Sequence, residues 1–238
     1  MSSQITIENG SCKLGGATTV TQFLEQAAIQ NHFPNLKKHL KLVSSQQIRN
    51  MGSIAGNFVN ASPIGDMSVY FLTLNTILYL IDSDQNKRQV KLIHFFKDYK
   101  TYDLNNDELI EYISFELPSK TNQFNFEKVS KRTHLDIATV NSAIHLIVNN
   151  TLIEKANISN GGVSAIPKYL TKTSDYLNNK TLSEDVLKEA EAILQSEITP
   201  ISDVRGTVEY KRLLAKQLFL AHFLTLFPQL INSKTLLS

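Results

Sequence analysis

Tryptophan is absent from this 238-residue chain, cysteine occurs once, and glycine and proline number only nine and six. The lone Cys12 excludes an internal disulfide, and with it a fold stapled for an oxidising compartment. It equally excludes an iron–sulfur cluster held by cysteines of this chain alone. No apolar run approaches the roughly 20 residues that span a bilayer. The opening "MSSQITIENGSC" lacks the basic and long apolar regions of a secretory leader. Lysine and arginine total 24 against 22 carboxylates, and a net charge of +2 gives no electrostatic pull toward nucleic acid or anionic lipid. These absences predict a cytoplasmic protein with no nucleic-acid and no membrane partner. Catalytic signatures are missing too: there is no Gly-x-Ser-x-Gly elbow, P-loop or His-Glu-x-x-His, and the six histidines lack metal-ligand spacing.

What is present is ordinary globular material, 42% hydrophobic and 19% charged. "QITIENGSCKLGG" reads as a hairpin turning at Asn9-Gly10. "TTVTQFLEQAAIQNHF" is predicted as one helix, with Thr19 and Gln22 at capping-box spacing. Pro34 is expected to start a second helix, and a short third one ends near Asn50. "MSVYFLTLN" reads as a buried helix; "TILYLID", "RQVKLI" and "ELIEYISFELP" read as strands. After Pro118 the polar "SKTNQ" marks a boundary. Three long strands of an antiparallel meander follow, "FNFEKVSKR", "ATVNSAIHLIV" and "TLIEKANISNGG". Helices fill the remainder. The expectation is two α+β units, 1–118 and 122–238.

Three of the nine glycines fall in "RNMGSIAGNFVNASPIGD", residues 49–66, which looks like neither helix nor strand. Glycine permits positive φ and lets backbone N–H groups approach a ligand without a Cβ between them. Asn57 and Asn60 could bind a polar chain there, and Asp66 could accept from hydroxyls or cap the next helix. The inventory suits a sugar-phosphate or polyol.

In order, "IRNMGSIAGNFVNASPIGD" resembles the signature of the FAD-binding subunit of molybdenum hydroxylases, the xanthine dehydrogenase and carbon monoxide dehydrogenase family. Further blocks are similar to that family: "ITIENGSCKLGGATTVTQFLE" upstream, then "DELIEYISFELP", "FEKVSKRTHLDIATVNSAI" and "GGVSAIPKYL…SDVRGTVEYKRLLAKQLF". The resemblance implies the second subdomain of a PCMH-type FAD-binding domain, followed by a three-stranded antiparallel sheet packed with helices. The family's earlier glycine loop for the pyrophosphate has no counterpart in this sequence, which implies half of a cofactor cradle. Ala55 stands where the family has a glycine, and Gly65 where it has a small hydroxyl or alanine.

By the same resemblance, Ser53, Gly56 and Asn57 line the flavin, and Asn60 is a further contact. Asp66 binds cofactor hydroxyls, Ile48 and either Leu109 or Ile110 pack on the rings, and Lys128 lies near the flavin, where its charge favours the reduced anion. Arg132 and Asp136 fall on a loop beside the nicotinamide side in some relatives. The implied role is an oxidoreductase component, not active alone. It passes electrons from [2Fe-2S] clusters through FAD to an acceptor, beside a molybdenum-cofactor-binding large subunit and an iron–sulfur subunit. A further chain would supply the missing pyrophosphate loop. The alternative is a truncated or split-gene relative that no longer binds FAD and serves as a scaffold.

Overall fold

The computed structural model describes residues 1–119 and 121–231. Lys120, inside the expected boundary segment, and residues 232–238 of the expected second unit lie outside the described residues. Strands β1 (Ile5–Glu8) and β2 (Ser11–Gly15) form the hairpin, with Asn9 and Gly10 both at positive φ, 50° and 77°. Helix α1 (Val20–Glu25) begins with the capping box: Gln22 N–H donates to Thr19 Oγ1 at 3.1 Å, and Thr19 N–H to Gln22 Oε1 at 2.9 Å. The single helix expected here is two, because Gln26 is extended and separates α1 from α2 (Ala27–Gln30). The break is stabilised by Gln30 Nε2, which donates to the freed carbonyl of Leu24 at 2.7 Å. Pro34 lies in a turn and does not open a helix; α3 (Leu36–Lys41) starts after Asn35.

The glycine-bearing stretch departs most from expectation. It belongs to α4 (Gln46–Met51) and contains a whole short helix, α5 (Ile54–Val59), before α6 (Asp66–Leu72). Ser45 and Ser53 explain this, since each serine Oγ accepts the N–H three residues on, at 3.2 Å from Ile48 and 3.0 Å from Gly56. Gly52, Gly56 and Gly65 all keep negative φ; the positive-φ glycines are Gly10 and Gly162. Asp66 is not a cap either: Gly65 holds that position and Asp66 is the first helical residue.

Next come β3 (Ile77–Ile81), β4 (Lys87–Lys91), α7 (Leu92–Phe95), the pair β5 (Phe96–Asp98) and β6 (Thr101–Tyr102), and β7 (Leu109–Glu116). The first sheet is antiparallel, ordered β1-β2-β7-β3-β4. The second is built on β8 (Asn122–Val129), β9 (Val140–Asn149) and β10 (Leu152–Gly161), the expected meander. Short strands β11 (Lys168–Tyr169) and β12 (Lys180–Thr181) add to β10 on either side of α8 (Thr171–Leu177). Helices α9 (Glu184–Glu197) and α10 (Val208–Leu226) complete the order.

Strand alternation gives the second sheet two apolar faces. Val140, Ile144 and Leu146 join the core formed with α8, α9 and α10. Ala143, Phe124 and Phe126 instead join the first core, with α1, α3 and α6. Tyr70 of α6 sits at that junction, its ring centroid 4.5 Å from Phe124 and 5.8 Å from Phe33. Each aromatic pair adds about 0.5–1.5 kcal/mol beyond burial. The two sheets therefore share one aromatic seam, and the glycine-bearing helices are held against it.

Candidate functional site

Helices α4 and α5 and the ends of α3 and α6 enclose a hollow of about 240 Å³. Val20, Val43, Ile48 and Met67 supply its apolar wall, and Ser53, Gly56, Asn57 and Asn60 its small and polar one. Five of the eight expected residues thus meet: Ile48, Ser53, Gly56, Asn57 and Asn60. A Cβ on Gly56 would stand 2.8 Å from Ser53 Oγ, so this position stays bare. Ala55 is buried on the core side of α5, and its methyl does not enter the hollow. Gly65 serves the neighbouring contact, since a Cβ there would press to 3.0 Å on Asn57 Oδ1.

The hydrogen bonds around the hollow consume its acceptors and leave donors. Asn57 Oδ1 accepts from Ser68 N–H at 3.1 Å and from Ser68 Oγ–H at 3.2 Å. Asn60 Oδ1 accepts from Lys100 Nζ at 3.2 Å. Among the described residues neither asparagine Nδ2 has a partner, and the Ser53 hydroxyl accepts without donating. Arg49, also on the lining, spends Nη1 on the carbonyls of Val43 and Ser44 at 2.7 and 2.8 Å and leaves Nε buried without a partner. Such a surface fits a guest rich in acceptors, such as phosphate, carbonyl and ring nitrogen, better than one rich in donors. On the lining, Ile48 is 60% exposed, and Met51 on the same helix is 86% exposed.

Asp66 and Lys128 lie behind the wall. Lys128 Nζ donates to Asp66 Oδ2 at 2.7 Å and to the Leu42 carbonyl at 2.9 Å, and its side chain is 3% exposed. Asn141 Nδ2 donates to the other Asp66 oxygen at 2.6 Å. Burial pushes the Asp66 carboxyl up, against the charge of Lys128 and these hydrogen bonds, which pull it down. Both Asp66 oxygens are thus bonded inside the protein in this arrangement. Ile110 lies apart from these: it is buried in the first core, its β7 position paired with Leu80 of β3, and it does not border the hollow. Leu109 is 38% exposed and borders a different groove near Asp82. Arg132 and Asp136 form a surface ion pair at 3.5 Å.

A second cavity, of about 620 Å³, went unread in the sequence. Ile64, Tyr99, Lys100, Asp203, Arg205 and Lys211 border it, and Lys100 joins it to the first hollow by also donating to the Asn60 carbonyl at 2.5 Å. The signal was the Gly161-Gly162 pair. Gly162, at φ 83°, brings the end of β10 close enough for its N–H to reach the Pro63 carbonyl at 3.0 Å. Among the described residues no group of three or more His, Cys, Asp or Glu could hold a metal, and no helix is long and apolar enough to cross a membrane.

Comparison with known proteins assigns both halves of the chain. Residues 2–119 match the model described as "FAD binding domain in molybdopterin dehydrogenase", and residues 126–226 match "CO dehydrogenase flavoprotein C-terminal domain". The glyceraldehyde dehydrogenase medium chain of Sulfolobus acidocaldarius is 29% identical over 88% of this chain and 74% of its own length. Xanthine dehydrogenase of Oryza sativa subsp. japonica is 30% identical over 79% of this chain, which spans 14% of that much longer protein. In fold, the chain is similar to carbon monoxide dehydrogenase from Hydrogenophaga pseudoflava, at a TM-score of 0.89 and 20% identity, over 96% of this chain and 79% of that one.

Proposed function

The chain belongs to the family of FAD-binding subunits of the molybdenum hydroxylases, and from that premise we propose that it is the electron-transfer component of a xanthine dehydrogenase-like enzyme. Bound FAD would supply two-electron and one-electron transfer, the chemistry this chain's own side chains lack. The molybdenum cofactor and [2Fe-2S] clusters belong, in this reading, to partner chains: a molybdenum-binding large subunit and an iron–sulfur subunit. Residues 1–118 form the FAD-binding domain and 122–238 the C-terminal domain, in the cytoplasm.

The observation that carries the reading is the donor-lined hollow on α4 and α5. Ser53 Oγ–H and the Nδ2 groups of Asn57 and Asn60 would hold acceptor atoms of the cofactor, Gly56 would allow close approach, and Ile48 would pack on its rings. A pocket for a drug-sized ligand usually holds about 300–1,000 Å³, so a hollow of about 240 Å³ fits part of FAD. The exposed Ile48 and Met51 on its rim suit a second surface that completes the site, carrying the pyrophosphate loop. The larger cavity past Lys100 is where the electron acceptor would dock.

The test is visible absorbance between about 370 and 450 nm, an approximate range for protein-bound flavin. Spectra of the purified chain with FAD are taken with and without its iron–sulfur and molybdenum partners. Retained flavin that bleaches on adding the complex's substrate supports the proposal. No retained flavin in the full complex favours the scaffold reading.

A further inference from the structure

We propose that Arg49 is a further binding residue of the hollow, taking a phosphate oxygen of the guest through Nη2. The inference rests on the cofactor reading, with FAD as the guest, and adds which part of FAD meets the end of α4. Among the described residues Arg49 is the only charged side chain on the lining. It takes part in none of the ion pairs among those residues. A guanidinium keeps its proton throughout the physiological range, so the hollow carries a positive charge with no carboxylate to offset it.

The three groups of the fork differ in what they do. Nη1 is spent on the turn between α3 and α4, donating to the carbonyls of Val43 and Ser44 at 2.7 and 2.8 Å. Ser44 holds φ at 48°, unusual for a residue with a Cβ, and these two bonds fix that turn. Nε is buried without a partner. Nη2 neither donates to a described residue nor is buried, which leaves it to the guest. Ser53, Asn57 and Asn60 offer neutral donors, which serve a carbonyl or a ring nitrogen as well as they serve a phosphate. Only Arg49 discriminates, because a charge-assisted N–H···O bond to an anionic oxygen is about twice as strong as a neutral one. The phosphate-bearing middle of FAD therefore lies over Arg49, with the pyrophosphate loop of the completing surface on its far side.

The rival role for Arg49 is that of a staple alone, and the two roles separate by guest. Loosening the Val43–Ser44 turn weakens every guest alike, whereas removing an anion contact weakens only guests that carry phosphate. Flavin fluorescence is titrated with riboflavin, which has no phosphate, and with FAD, in complex with the partner chains, for wild type, Arg49→Gln and Arg49→Lys. The contact predicts that Arg49→Gln lowers FAD affinity at least about 10-fold more than riboflavin affinity. Arg49→Lys, which keeps the charge, should retain most of the preference for FAD. Equal losses for the two guests, or no loss, overturn the contact and leave the staple. A wild-type complex that binds neither flavin removes the cofactor reading, and calorimetry of the full chain with inorganic pyrophosphate then decides Arg49. Pyrophosphate bound by wild type and lost in Arg49→Gln upholds the anion contact; no binding by wild type, or equal binding by both, overturns it.

Discussion

His39 of α3 and His222 of α10 share one amide, Asn125 on β8. Asn125 Oδ1 faces His39 Nε2 at 3.1 Å, and its Nδ2 faces His222 Nδ1 at 3.0 Å. The same Nδ2 donates to Glu127 Oε1 at 2.9 Å, and a carboxylate oxygen can only accept, so the amide's orientation is fixed. His222 must then be neutral with its proton on Nε2, and His39 carries a proton on Nε2. His39 donates to Asn125, and His222 donates from Nε2 to Ser142 Oγ at 2.9 Å. Ser142 Oγ–H donates onward to Asn160 Oδ1 at 2.8 Å. A proton added at Nδ1 of His222 would point at an N–H donor.

Stability should therefore fall with acid. Burial lowers His39 and His145 to about 4 and His222 to about 3, from an ordinary value near 6.5. These are depressed values, so the stabilisation is complete above pH 6.5 and is lost as pH falls from there toward 4. Across that window the unfolded chain takes up as many as three protons the folded chain refuses, at about 1.4 kcal/mol per pH unit for each. Asp66, raised by burial, works in the opposite sense, one group against three. Urea unfolding at pH 7.5 and pH 5.5 should show a clear drop in midpoint at the lower pH; equal midpoints would contradict the lowering of these three histidines by burial.

Tyr70→Phe should hold or raise stability. The phenol is fully buried at the aromatic seam and its hydroxyl has no partner among the described residues. An unpaired buried hydroxyl costs about 1–3 kcal/mol, so its removal is predicted to raise the thermal midpoint by a few degrees. A drop of comparable size would mean that a buried water bonds it.

Much of the fold was legible because local chemistry decided it. Asn9-Gly10, Thr19 with Gln22, and the long alternating strands of the second sheet follow directly from turn, cap and period. The segment 49–66 was misread as a loop because its small residues suggest flexibility, while Ser45 and Ser53 are placed to cap two short helices. Of the site, Ile48, Ser53, Gly56, Asn57 and Asn60 were legible as neighbours in one segment. The Asp66–Lys128 pair was not, since its members lie on different layers and meet only through tertiary packing. The burial of Ile110 was not legible for a simpler reason: adjacent residues on a strand face opposite sides, and only the fold says which side is which.

Ser53→Ala separates structure from binding. It removes the cap of α5 and should cost about 1 kcal/mol of stability. If the hydroxyl also donates to the cofactor, FAD affinity in the complex should fall further than in Ser45→Ala, which removes the α4 cap away from that lining. Equal affinity losses in a fluorescence titration would remove Ser53 from the contact set.

Ile48→Glu tests the rim. The side chain is 60% exposed, so stability should change by less than about 0.5 kcal/mol. Association with the surface that completes the site should weaken at least 10-fold in a pull-down titration against the partner chains. Unchanged association would leave the exposed Ile48 and Met51 without a covering surface.

The central claim is a location, and photolabelling reads it directly. Irradiating the complex loaded with 8-azido-FAD, then mapping the modified peptides by mass spectrometry, should place the label on this chain within residues 43–67. Label found only on partner chains, or on this chain outside that segment, would contradict the account.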